Sequence, residues 1–187
     1  PGGRGLAAAA DPALYTWQAV QARGRDEPGP APSRPGASRG CFRVDLWDRG
    51  QLRLHFENAD PASCGPLARQ RAHLRRAELT ELFAWVRQQL PEARSVVGGS
   101  WLYNIDAYRR LFPPDYLATA YSSTGEAELR YLSLWGQFLD HEGRVKAELA
   151  EPFLARLRRP GWTGIADLQA CLPFQVLRLE APVACFY

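Results

Sequence analysis

The stretch CFRVDLWDRGQLRLHFE, residues 41–57, decides the fold. Phe42, Val44 and Leu46 alternate with Arg43, Asp45 and Trp47; Leu52, Leu54 and Phe56 alternate with Arg53, His55 and Glu57. Successive side chains of an extended strand point to opposite faces, so each half presents one apolar and one polar face. Between them, Asp48-Arg49-Gly50 places a glycine where a tight hairpin loop needs positive φ. The stretch therefore predicts an antiparallel β-hairpin with one face in a core.

The pattern changes downstream. Residues 67–90 predict a helix, possible to break early, whose apolar stripe is Leu79, Leu82, Phe83, Val86 and Leu90, with Pro91 ending it. Arg69, Arg71, Arg75, Arg76 and Arg87 lie mainly off that stripe and read as solvated or paired with Glu78 and Glu81. Ser95-Val96-Val97 predicts a buried strand leading into Gly98-Gly99-Ser100-Trp101-Leu102-Tyr103. Residues 105–112 predict a short helix stopped by Pro113-Pro114, and 117–121 a strand. Residues 128–140 suit either class, with Gly136 favouring a strand or bulge. Helices over 152–158 and 165–171 and a last strand through Phe174, Val176 and Leu179 complete the reading. Interleaved strands and helices predict a mixed α/β (α+β) fold: a single sheet beginning with the antiparallel hairpin, helices packed on it.

Upstream, Asp11-Pro12 can start a short helix over 13–22 with Leu14 and Trp17 on one face. Residues 24–40 hold four prolines and four glycines and read as a linker. Residues 1–40 are thus expected to be a flexible tail with one short helix, and 41–187 a single globular domain. The apolar ending at Tyr187 suggests a truncated end.

Composition excludes several function classes. Of 23 basic residues, 22 are arginine and only Lys146 is lysine, a bias that fits GC-rich coding and weakens any reading of arginine count. Residues 1–40 hold five arginines against three acids; residues 41–187 hold 18 basic and 17 acidic residues. A nucleic-acid binder concentrates positive charge on its folded face, so a near-neutral body makes nucleic acid an unlikely partner. Apolar runs are too short to span a bilayer, and no signal-peptide pattern is visible. Cys41, Cys64, Cys171 and Cys185 fit no zinc module and read as reduced thiols in a cytoplasmic protein. His55, His73 and His141 are isolated, so no metal site and no cofactor is expected.

The densest chemistry lies at residues 98–104 and the arginines that follow. Gly98 and Gly99 after a strand let a ligand or another backbone approach closely. Ser100 offers a hydroxyl, Tyr103 a phenol, Asn104 a cap for the next helix, and Arg109 a bidentate cation. His55, on the polar face of the hairpin, can reach the neighbouring strand's end. The candidate ligand site is therefore His55, Gly99, Ser100, Tyr103, Asn104 and Arg109, for a small anionic metabolite. The alternative is that the glycines make a bulge, Trp101 fills the core, Asn104 only caps, and the arginines are solvated. Ser100 as a nucleophile lacks the Gly-x-Ser-x-Gly elbow, because Leu102 stands where the second glycine belongs.

Leu54-His55-Phe56, then a long helix with Pro91-Glu92, a strand into Ser100-Trp101-Leu102, and Leu111-Phe112-Pro113 form a layout. It resembles the C-terminal accessory domain of bacterial GNAT-like acyltransferases. The stretch from Gly99 to Asn104 is also similar to one found in proteobacterial proteins. The chain has no Arg/Gln-x-x-Gly-x-Gly/Ala loop to cradle coenzyme A phosphates, so the resemblance implies an accessory domain and not the transfer machinery. Two functions are expected in consequence: a small anionic-ligand-binding domain associated with acyl transfer, or a non-catalytic protein-interaction or structural module.

Overall fold

The computed structural model describes residues 34–60, 64–123, 129, 132–161 and 164–187. The expected helix over 13–22 lies outside them. Among the described residues, six strands form one sheet in the order β1-β2-β3-β4-β6-β5. β1 is Arg34–Arg39, β2 Phe42–Trp47, β3 Gln51–Phe56, β4 Ser95–Ser100, β5 Tyr121–Ser122 and β6 Leu177–Pro182. The helices are α1 Ala72–Gln89, α2 Asp106–Arg109, α3 Pro114–Ala118, α4 Leu132–Trp135, α5 Ala147–Leu157 and α6 Ile165–Cys171. β3 and β4 run parallel, joined through α1; the other described neighbours are antiparallel. None of the described helices is long and apolar enough to cross a membrane.

The expected hairpin is β2–β3, in register Phe42↔Phe56 to Trp47↔Gln51. Its loop holds Arg49 at φ 63° and Gly50 at φ 75°. Phe42, Val44, Leu46, Leu52 and Leu54 are buried against Leu79, Leu82, Phe83 and Val86 of α1. The mixed α/β reading with helices on a single sheet holds.

Four local readings need correction. First, β1 lies inside the stretch read as linker. A proline- and glycine-rich segment can serve here because it is an edge strand, where a missing N–H is tolerated. An irregularity separates Arg34 from Ala37, and at Gly36 a Cβ would sit 1.6 Å from the Val44 carbonyl oxygen. Second, residues 117–121 are not a strand: Pro114 pre-sets the first turn of α3, and only Tyr121 and Ser122 pair with β6. Third, Gly136 is in neither strand nor bulge but opens a 3-10 turn, Gly136–Phe138, directly after α4. Fourth, α5 begins five residues before Pro152. Glu148 and Pro152 are both exposed there, so water can replace the donor that proline lacks.

Arg75 is not solvated. It is 2% exposed and meets three partners. Its Nη2 donates to Asp60 Oδ2 at 2.9 Å and lies 3.0 Å from Glu78 Oε1, while Nη1 contacts Cys41 Sγ. Arg71 Nε also donates to Asp60, at 2.8 Å, and Glu78 Oε2 accepts from the Cys41 N–H at 3.1 Å. Burial pushes the Cys41 thiol up, against the opposing pulls of the Ala59 backbone and Arg75. This network ties the start of β2 and the loop after β3 to α1. All four cysteines are free thiols.

Among the described residues two apolar clusters form. The main one lies between the sheet and α1 and takes in Tyr103, Tyr108, Phe112 and Tyr116. The second is formed by Leu134, Phe138, Phe153, Cys171 and Leu172, from the helical segment between β5 and β6.

Candidate functional site

β4 ends where a cleft of about 160 Å³ opens, lined by residues of β3, β4 and the turn after β4. His55, Phe56 and Glu57 reach it from the end of β3; Gly99 and Ser100 from the end of β4; Leu102, Tyr103 and Tyr108 from the following turn and α2; Ser133 from α4. The carboxyl ends of adjacent parallel strands are the usual ligand position in sheets of this kind.

Four of the six candidate residues, His55, Gly99, Ser100 and Tyr103, thus converge on one cleft. The other two do not line it. Arg109 is exposed on α2. Asn104 does not cap α2, whose N-cap is Ile105. Its Nδ2 instead donates to the carbonyls of Trp101 and Gln175, at 2.8 Å each, tying the turn to the strand entering β6.

Ser100 caps the 3-10 turn Trp101–Asn104: its Oγ accepts from the Leu102 N–H at 3.1 Å. His55 Nε2 lies 3.4 Å from Asp45 Oδ2, and Arg43 Nη2 lies 3.6 Å from the same oxygen. Burial of the ring, then the Arg43 charge, holds the His55 pKa below its ordinary 6.5, with Asp45 pulling the other way. Nuclear magnetic resonance titration is expected to place the His55 midpoint below 6.5, and Asp45→Asn is expected to move it lower still. A midpoint above 6.5 would contradict this geometry. A lowered histidine pKa leaves the unfolded chain to take the proton first, so this residue removes stability as pH falls through the unfolded value.

Tyr103 forms the back of the cleft. Its hydroxyl bonds that of Tyr116 at 2.9 Å, and both face Gly98, where a Cβ would lie 2.2 Å from Tyr103 Oη and 2.3 Å from Tyr116 Oη. Gly98 is thus a packing position, while Gly99 beside it is open: a Cβ there would meet only Arg178 Cγ, at 3.9 Å. Burial pushes the phenols of Tyr103, Tyr108 and Tyr116 well above their ordinary range, so they act as neutral hydrogen-bonding groups.

Glu57 and Ser133 were not expected in the site, and Tyr108, in the candidate segment by sequence, was not singled out as a ligand residue. Glu57 follows His55 in sequence and was within reach of the strand pattern. Asp45 was legible as well, since the register Arg43↔His55 and Asp45↔Arg53 puts it diagonal to His55 on one face. Ser133 had no local signal, because a long excursion between β5 and β6 delivers it. Among the described residues no group of three His, Cys, Asp or Glu is placed to hold a metal ion.

No protein-family model, no curated protein and no solved structure matches the chain. Fold and cleft together define it as a mixed α/β domain with a small cleft at the carboxyl ends of its parallel strand pair.

Proposed function

We propose that the chain is a binding domain for a small polar ligand, held in the cleft between the ends of β3 and β4. The observation that carries this reading is the convergence of His55, Gly99, Ser100 and Tyr103 on one cleft from separate chain segments. An apolar floor with a few placed polar groups is the usual make-up of a small-molecule site. The lining holds one carboxylate, Glu57, and no arginine or lysine. A neutral or cationic head group therefore fits it better than the small anion expected through Arg109. Ser100 Oγ is engaged with the Leu102 N–H, and His55 Nε2, 3.4 Å from Asp45 Oδ2, is buried without a hydrogen-bond partner among the described residues. A capping Ser100 and a His55 nitrogen open to a ligand donor support binding more than acyl transfer, in keeping with the accessory role that the family resemblance implies. Free cysteines support a reducing, cytoplasmic setting.

The test is a thermal-stability screen of the full chain against small amines, amides, polyols, carboxylates and phosphorylated metabolites. A ligand at a hundredfold its Kd adds about 2.7 kcal/mol of stability, a readable shift. A hit among amines, amides or polyols that Gly99→Val abolishes is the expected result. Gly99 lines the cleft, and a Cβ there meets only Arg178 Cγ at 3.9 Å, so the variant adds bulk at the cleft wall at a position with room for it. No hit at millimolar concentration, or a hit unaffected by Gly99→Val, would contradict the reading.

A protein-interaction module is the second reading, favoured by one observation. Leu139 and Val145 face each other across a β-bridge while 42% and 66% exposed. The turn between them is braced, with the Asp140 carboxylate accepting from the N–H groups of Glu142 and Arg144. A rigid turn presenting an apolar pair to solvent suits a docking tip.

A further inference from the structure

We propose that the helical unit made of α4, α5 and α6 is a lid on the cleft and that Trp101 is its latch, an inference that rests on the cleft being a binding site. Among the described residues the unit's two chain ends meet the sheet at a neck. β5 pairs with β6, and just beyond that pair the Ser123 N–H donates to the Val176 carbonyl at 2.9 Å, so both ends of the excursion meet. Its apolar side chains bury against one another in a cluster separate from the main core. An element with its own small core and few buried ties to the rest opens at lower free energy than the whole fold.

Among the described residues, the body sends Trp101 into that cluster, beside Val176 at the neck. Its indole N–H donates to the Ser133 carbonyl at 2.8 Å. Its ring stacks on Phe174 with centroids 6.0 Å apart and planes at 16°, and Lys146 Nζ lies 5.8 Å from its centroid. Asn104 steadies the neck through Gln175, and His141 rests against Gly65 of the body. Two facts make Trp101 a latch and not merely another core residue. It directly follows Ser100, on the turn that borders the cleft. The residue it holds, Ser133, is itself a cleft-lining residue. Letting go of Ser133 removes one wall of the cleft while leaving β3 and β4 intact, and lid motions of this type fall in the microsecond-to-millisecond range.

The test is hydrogen exchange by mass spectrometry on the full chain, without ligand, comparing wild type with Trp101→Phe and Trp101→Ala. Trp101→Ala is expected to speed exchange about tenfold or more in residues 132–138 and 172–176, with 72–89 and 95–100 changed less than about twofold. Trp101→Phe keeps a stacking ring but loses the N–H donor, and is expected to fall between. Acceleration by the same factor in 72–89 would overturn the proposal, because Trp101 would then belong to a single cooperative core. Unchanged exchange in 132–138 in both variants would overturn it equally. Because no ligand is used, this outcome is independent of the screen that tests the cleft as a binding site.

Discussion

Replacing Arg75 with leucine is expected to lower the unfolding free energy by about 3–5 kcal/mol, the cost of stripping a buried charge network of one partner. Arg75 and Asp60 have side chains 2% and 1% exposed, and Glu78 is 12% exposed. With the guanidinium gone, two carboxylates face each other with Arg71 still bonded to Asp60. The Cys41 sulfur also loses its contact, and the grip of Glu78 on the Cys41 N–H weakens with the displaced carboxylate. Arg76, one position on, is the control. It is exposed and donates only to the Arg110 carbonyl, at 3.0 Å. Arg76→Leu is expected to stay within about 0.5 kcal/mol of wild type. Urea unfolding of both variants decides the matter; a loss under about 1 kcal/mol for Arg75→Leu would show that water or neighbouring groups replace it.

Gly98→Val is the second large effect, expected at about 3 kcal/mol. The added Cβ alone would lie 2.2 and 2.3 Å from two phenol oxygens. Neither ring has room to retreat. Tyr103 packs on Tyr108, Phe112 and Tyr116, and Tyr116 packs on Phe186. Gly98→Ala is expected to cost less, and Tyr116→Phe to recover part of that cost by removing one of the colliding oxygens. A double-mutant cycle reads the coupling directly, and strict additivity would contradict the packing described here. Gly99→Val, one residue away but facing open space, is expected to fold normally.

The contrast between these neighbouring glycines shows where the sequence stopped being informative. A glycine pair after a strand announced close approach, but not which glycine was packed and which was open. That depends on Tyr116, delivered by a short helix, Pro114–Ala118, where the sequence reads only a proline stop and then a strand from 117. The hairpin was legible because alternation and a turn glycine are local signals. β1 was hidden because its pairing with β2 overrides a proline- and glycine-rich composition that locally reads as linker. The pairing of Arg75 with Glu78 was legible from their spacing, but its burial was not, because that comes from Cys41 and Asp60, far off in sequence. Among the site residues, those on strand ends were recoverable from strand register. Arg109 was not correctly placed, since its exposure is set by the rotation of the short helix α2 against the sheet.

The most direct test of the central claim, that the cleft at the ends of β3 and β4 binds a small polar ligand, is an amide chemical-shift titration of the full chain. The titrant is the best-stabilising compound from the screen. The account expects saturable shifts at His55, Gly99, Ser100 and Ser133, absent in Gly99→Val, with β1 and α5 undisturbed. Shifts that cluster elsewhere, around Leu139 and Val145 or around Arg109, would contradict it.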